Sequence, residues 1–147
     1  MDRRNIFRSS LAALAGVFAA RASAQTATDK GVPKVVYHLA DVEKVQFVLT
    51  NIKNHFEGMG GPDKVHIALV VHGPALRSFY GNVTDTELKT RVAGFSKIGV
   101  QLNACANTMR GQNITLADLL PGFISAEKGG VVRLAELQGQ GYAYLRP

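Results

Sequence analysis

The only cysteine of this 147-residue chain, Cys105, stands in the stretch IGVQLNACANTMRG, between an apolar run and a set of small polar residues. A thiol in that setting packs as a small hydrophobe or serves as a nucleophile, and free cysteines take both roles. Its neighbours allow sulfur chemistry. Asn107 or Thr108 can open a helical turn whose backbone N–H groups stabilise a thiolate, Arg110 can add positive charge, and Ala104 and Ala106 leave room around the sulfur. With a single cysteine, no intramolecular disulfide can form.

The chain holds four histidines. His72, in VVHGPAL, precedes a glycine and a proline that let the backbone approach a ligand. There it can orient or deprotonate a thiol, bind an anion, or simply close a hydrogen bond at a strand end. His38, in KVVYHL, has the same choices, whereas His55 and His66 fall inside a helix and a strand and read as structural or surface residues. No HxH or HExxH spacing occurs, so no metal site is expected. Nor is a cofactor expected. The glycines of EGMGGPD follow a helix rather than a strand, and Gly129-Gly130 precedes a helix without the Lys or Ser/Thr of a phosphate loop. No GxSxG is present, and Asp118 and Glu127 have no evident carboxylate partner.

Positioning these residues falls to an alternating set of elements. KVVYHL, residues 64–73 (KVHIALVVHG) and residues 100–105 (VQLNAC) are apolar, strand-like runs, and the second is nearly continuous, as a central parallel strand requires. Between the first two, Asp41 is placed to cap a helix with Val42, Val45, Leu49, Ile52, Phe56 and Met59 on one face, ended by Gly58, Gly60, Gly61 and Pro62. Thr84-Asp85-Thr86-Glu87 has the form of a capping box ahead of Leu88, Val92 and Phe95. A turn over 115–120, a weaker strand at 122–126, a helix marked by Val131, Leu134 and Leu137, and a closing strand at 142–146 complete the pattern. Strands alternating with helices predict right-handed βαβ units: a small flavodoxin-like α/β domain of about five mostly parallel strands, with helices on both faces. Functional groups in such sheets collect beyond the carboxyl ends of the strands, and His38, His72 and Cys105 each fall at such an end.

The first 24 residues are expected to be an export signal: Arg3 and Arg4, a modest apolar segment from Leu11 to Ala20, then the cleavage site Ala22-Ser23-Ala24. Arg3-Arg4-Asn5-Ile6-Phe7-Arg8 resembles a twin-arginine signal, the alternative being an ordinary secretory signal that begins with two arginines, and export implies a bacterial periplasmic protein. The apolar segment is too short to span a bilayer, so no stable membrane association is expected once it is cleaved. Residues 25–33 read as a flexible lead-in and 34–147 as one domain. Removing Arg3, Arg4, Arg8, Arg21 and Asp2 with the signal takes the formal charge from +6 to +3, and no basic run with interleaved aromatics remains, so nucleic acid is not an expected partner.

Four segments, KVVYHL, VVHGPAL, GVQLNACANTM and GGVVRLAELQGQGYAYLRP, together resemble the DsrE/DsrF-like family over residues 34–147, with most similarity to its exported, single-domain branch. The resemblance implies a YchN-like α/β fold and assembly into homo-oligomers, trimers or hexamers. It also implies a sulfane-sulfur acceptor at Cys105, forming a persulfide with His72 beside it. Apart from the resemblance, His38, Asn107 and Arg110 are the residues expected to bind a ligand in the strand-end crevice. Relay members of the family act in the cytoplasm with partner subunits, so an exported chain leaves the sulfur donor and acceptor unnamed. Some members lack the cysteine, which keeps a second reading open: a non-catalytic small-ligand-binding or structural oligomeric module.

Overall fold

The computed structural model describes residues 31–82 and 85–147. The signal expected at 1–24, most of the lead-in, and Thr84 of the capping sequence lie outside them. Five strands form one sheet: β1 (Lys34–Leu39), β2 (His66–Val71), β3 (Gln101–Cys105), β4 (Phe123–Ala126) and β5 (Ala143–Leu145). Their order is β4-β3-β2-β1-β5 and every pairing is parallel. Helices α1 (Val45–Met59), α2 (Thr86–Lys97), α3 (Ala106–Gly111) and α4 (Gly130–Gly139) supply the crossovers, together with short 3-10 turns. None of the described helices is long and apolar enough to cross a membrane.

The two faces of the sheet are covered unequally. On one, Val35, Tyr37, Leu39, Ile67, Leu69, Val71 and Leu102 pack against α1, α2 and α3 in the main core. On the other, Val36, Ala68 and Val70 form a smaller cluster with Leu134 and Leu137 of α4, with Tyr142 at the edge. Successive strand residues point to opposite faces, so the residues in line with Val36 and Val70 at the strand ends, His38 and His72, stand on the α4 side. Because β1 through β4 step across the sheet in one direction and β5 returns to the other side of β1, the α4 connection passes beneath the strand ends that carry these histidines.

Local structure departs from the sequence pattern at three helix starts. Asp41 precedes a 3-10 turn rather than α1 and makes no side-chain cap; its carboxylate instead takes Arg146 at 3.1 Å. The tighter turn shifts the helical phase, so Val42 is exposed, as is Met59 at the far end, and Val48 joins the buried face. Gly60, in the left-handed region at φ 90°, ends α1 as a C-terminal cap. The cap of α2 is Asp85, whose carboxylate accepts the Leu88 N–H at 2.6 Å. In α4, Val131 does not face the sheet and is 70% exposed. Gly130 takes the inward position in that turn, for the reason given next.

Candidate functional site

Cys105 is the last residue of β3 and itself caps α3, its sulfur accepting the Thr108 N–H at 3.4 Å. The expected caps, Asn107 and Thr108, thus lie already inside α3; the sulfur does the capping. Two helix starts converge on it. Backbone N–H groups of Asn107 and Thr108 come from α3, and that of Gly130 from the first residue of α4. This close approach explains the glycine. A Cβ on Gly130 would lie 3.2 Å from the His72 Cβ and 3.3 Å from the Cys105 Cβ, tighter than ordinary packing. Gly129, at φ 98°, is constrained more severely, because a Cβ there would meet the Asn107 side-chain amide at 2.5 Å.

Burial (Cys105 is 5% exposed) pushes its thiol pKa up. The hydrogen bonds from the Thr108 hydroxyl and from the Thr108, Gly130 and Asn107 N–H groups act the other way and prevail, so the net pKa lies below the ordinary thiol value. Thr108 is itself polarised for this role. Its oxygen accepts the Gly73 N–H at 2.9 Å while its hydroxyl serves the sulfur. Gly73 is further held by Gln112, whose amide donates to the Gly73 carbonyl at 3.0 Å and whose own oxygen accepts from the Tyr80 hydroxyl at 2.5 Å. The loop after β2 and the thiol after β3 are thereby tied together through one side of α3.

Histidines 38 and 72 meet. Their Nε2 atoms are 2.5 Å apart while the ring centroids are 4.7 Å apart and the planes 21° from parallel. Nitrogens so much closer than the centroids mean an edge-to-edge hydrogen bond rather than face-to-face stacking. His38 Nδ1 is hydrogen-bonded at 2.6 Å to the hydroxyl of Tyr144 on β5, giving a polar row across β2, β1 and β5. Burial, the His72 ring and then the Arg146 charge lower the His38 pKa to about 4, against the pull of Asp41. Burial and Arg146 lower that of His72. Both rings are neutral near pH 7, so one Nε2 carries the shared proton and the other accepts it.

Of the residues singled out in the sequence, Cys105, His72 and His38 therefore do collect at neighbouring strand ends. His72 turns its Nε2 to His38, while the groups that acidify the sulfur are backbone N–H groups and Thr108. Asn107 contributes through its backbone. Its side chain accepts from Arg110 and packs on Gly129, so Arg110 acts on the sulfur's neighbour rather than on the sulfur. His55 bonds the Tyr37 hydroxyl at 2.9 Å and His66 is exposed, as their positions implied. Among the described residues, no three His, Cys, Asp or Glu side chains come together to hold a metal ion. Thr108, Gly129, Gly130 and Tyr144 were not marked in the sequence as site residues. Thr108 carried a signal as a possible start of the helical turn beside the thiol, and the Gly129-Gly130 pair as two glycines at the start of a helix; Tyr144 carried none.

No protein-family model matches the chain, and no curated protein does. Solved structures do. A protein of unknown function, MTH1491 from Methanobacterium thermoautotrophicum, is similar with a TM-score of 0.67 and 27% identity over 78% of this chain and 99% of its own. The ychN protein from E. coli is similar with a TM-score of 0.62 and 15% identity, again over 78% of this chain and 99% of its own. The fold is thus the YchN-like, flavodoxin-like α/β type that the sequence predicted, here with an all-parallel sheet.

Proposed function

We propose that this is an exported DsrE-like sulfur carrier that accepts sulfane sulfur on Cys105 as a persulfide. The observation that carries the reading is the convergence of two helix starts and the Thr108 hydroxyl on the Cys105 sulfur, which lowers its pKa in spite of burial. A thiolate so held attacks the outer sulfur of a donor such as thiosulfate. A bond forms between Sγ and the sulfane sulfur, the donor's S–S bond breaks, and the electron pair leaves with sulfite; Cys105 becomes a persulfide anion. The same N–H groups that receive the thiolate can steady that anion. A nucleophilic acceptor then takes the terminal sulfur and regenerates the thiolate.

The twin-arginine-like leader supports a periplasmic location, and recessing the thiol is consistent with that compartment, where an exposed single cysteine is prone to intermolecular disulfides. A homo-oligomer is part of the proposal. Exposed Ile124 on the edge strand β4 and Val131 and Val132 on α4 are apolar side chains of the kind that subunit interfaces cover.

Mass spectrometry of the mature protein after exposure to thiosulfate or polysulfide tests the reading. The expected result is a gain of one or more sulfur atoms that cyanide or reductant removes and that the Cys105→Ser protein lacks. A folded protein whose Cys105 gains no sulfur and resists thiol reagents would refute it.

A further inference from the structure

Asn103 is fully buried, at 0% exposure, in the middle of an otherwise apolar sheet. Burying an amide is costly unless every polar atom is bonded. Its Nδ2 donates to the Leu69 carbonyl at 3.3 Å and to the Gln101 carbonyl at 2.9 Å, which fixes the amide's orientation. Its Oδ1 then faces α4 and accepts from Arg133 Nε at 3.0 Å. A guanidinium held by Nε keeps its planar fork for something else. Among the described residues, the fork's ion-pair partner is the Glu136 carboxylate, 3.6 Å from Nη1, beyond good hydrogen-bond distance.

Arg133 lines a cleft of about 290 Å³ between α4, the middle of β3 at Asn103, and β4 with the loop that follows it, together with Ser125, Glu127, Lys128, Gly129 and Glu136. The cleft adjoins the thiol. Asn103 and Cys105 are two apart on β3, about 6.6 Å along the strand, and both stand on the α4 side. The Gly129–Gly130 peptide separates the two places, with Gly129 lining the cleft and the Gly130 N–H bonded to the sulfur. Lys128 and Arg133 are balanced by Glu127 and Glu136, so no net positive field draws a ligand in. An anion must be chosen by fork geometry.

We propose that Arg133, anchored by Asn103, binds the oxyanion head of the sulfur donor, a small sulfur oxyanion, in this cleft beside Cys105. The proposal rests on the sulfur-carrier reading and names its donor class. Glu136, bridged to Lys128 at 3.4 Å, competes with the ligand for the guanidinium.

The test is a calorimetric titration of the folded Cys105→Ser protein, which cannot carry sulfur, with sodium thiosulfate, sodium sulfate and, separately, sodium acetate. Saturable binding of thiosulfate and sulfate is expected, weakened at least about tenfold by Arg133→Gln, as loss of a charge-assisted hydrogen bond implies. Arg133→Lys should recover only part of it, since an ammonium offers neither the fork nor the Nε bond to Asn103. Glu136→Gln should tighten binding, which a merely unfolded variant cannot do. Absence of saturable binding, equal binding by Arg133→Gln, or binding of acetate alone would overturn the proposal. The two readings separate cleanly. Sulfur loading of Cys105 from polysulfide without anion binding defeats the cleft proposal alone, while anion binding without any loading defeats the carrier reading.

Discussion

His38 and His72, at the ends of adjacent strands, share a proton between Nε2 atoms 2.5 Å apart, and His38 is fixed from behind by Tyr144. The pair is neutral in the folded protein because burial and the nearby Arg146 disfavour a second proton. This distinguishes it from an acid–base histidine tuned to neutral pH, whose pKa would lie near the working pH.

A pH dependence of stability follows. The His38 pKa falls from 6.5 in the unfolded chain to about 4 in the folded one, so between those values the unfolded state binds more protons and stability rises with pH. Lowering the pH from about 6.5 to about 4 should therefore remove stability that no further acidification removes through this group. Solvent reaching half-buried His72 tempers the effect to about 1–2 kcal/mol. Urea midpoints measured across that range check it, and His38→Gln should flatten the slope. An unchanged slope in that variant would count against the neutral pair.

Removing the Thr108 hydroxyl while keeping its shape, Thr108→Val, should raise the Cys105 pKa, because one of the bonds that oppose burial is lost. The pH profile of thiol alkylation should move to higher pH, with Thr108→Ser restoring it. The same profile in Thr108→Val and the parent would mean that the backbone N–H groups alone set the acidity.

The glycine pair should tolerate no side chain. Gly130→Ala places a methyl against the Cβ atoms of His72 and Cys105, an overpacking that costs about 1–3 kcal/mol. Gly129→Ala adds a positive-φ penalty to its clash with the Asn107 amide and should be the worse of the two. Denaturant unfolding ranks them, and Gly139→Ala, where nothing lies within 4 Å of a new Cβ, is the matched control expected to be near neutral.

If the exposed Ile124 and Val131 lie in a subunit interface, Ile124→Asp and Val131→Lys should lower the mass measured by sedimentation while leaving the far-ultraviolet spectrum intact. A parent protein that sediments as a monomer would remove the oligomer from the proposal.

Much of the architecture was legible in the residue pattern. KVVYHL and HIALVV announce buried parallel strands because both faces of such strands are covered, and Leu88, Val92 and Phe95 announce the buried face of α2 at helical spacing. The strand ends placed His38, His72 and Cys105 near one another by topology alone. The start of α1 was not legible, because nothing in Asp41-Val42-Glu43-Lys44 separates a 3-10 turn from an α-helical one until the carboxylate finds Arg146. Val131 misled for a related reason. Apolar spacing cannot anticipate that the first turn of α4 must present glycine to the sheet.

What the sequence determined by itself is therefore what short-range chemistry encodes: the alternation of strands and helices, the parallel sheet, and a lone thiol at a strand end. What only the tertiary structure decided is which groups face that thiol and which face one another. Gly130 reaches the sulfur, Tyr144 reaches His38, and Arg133 reaches Asn103. Each contact joins segments far apart in the chain, and each depends on how deeply α4 settles and how β5 registers on β1. Those are properties of packing, in which every residue at the contact takes part, and no local pattern of residue types carries them.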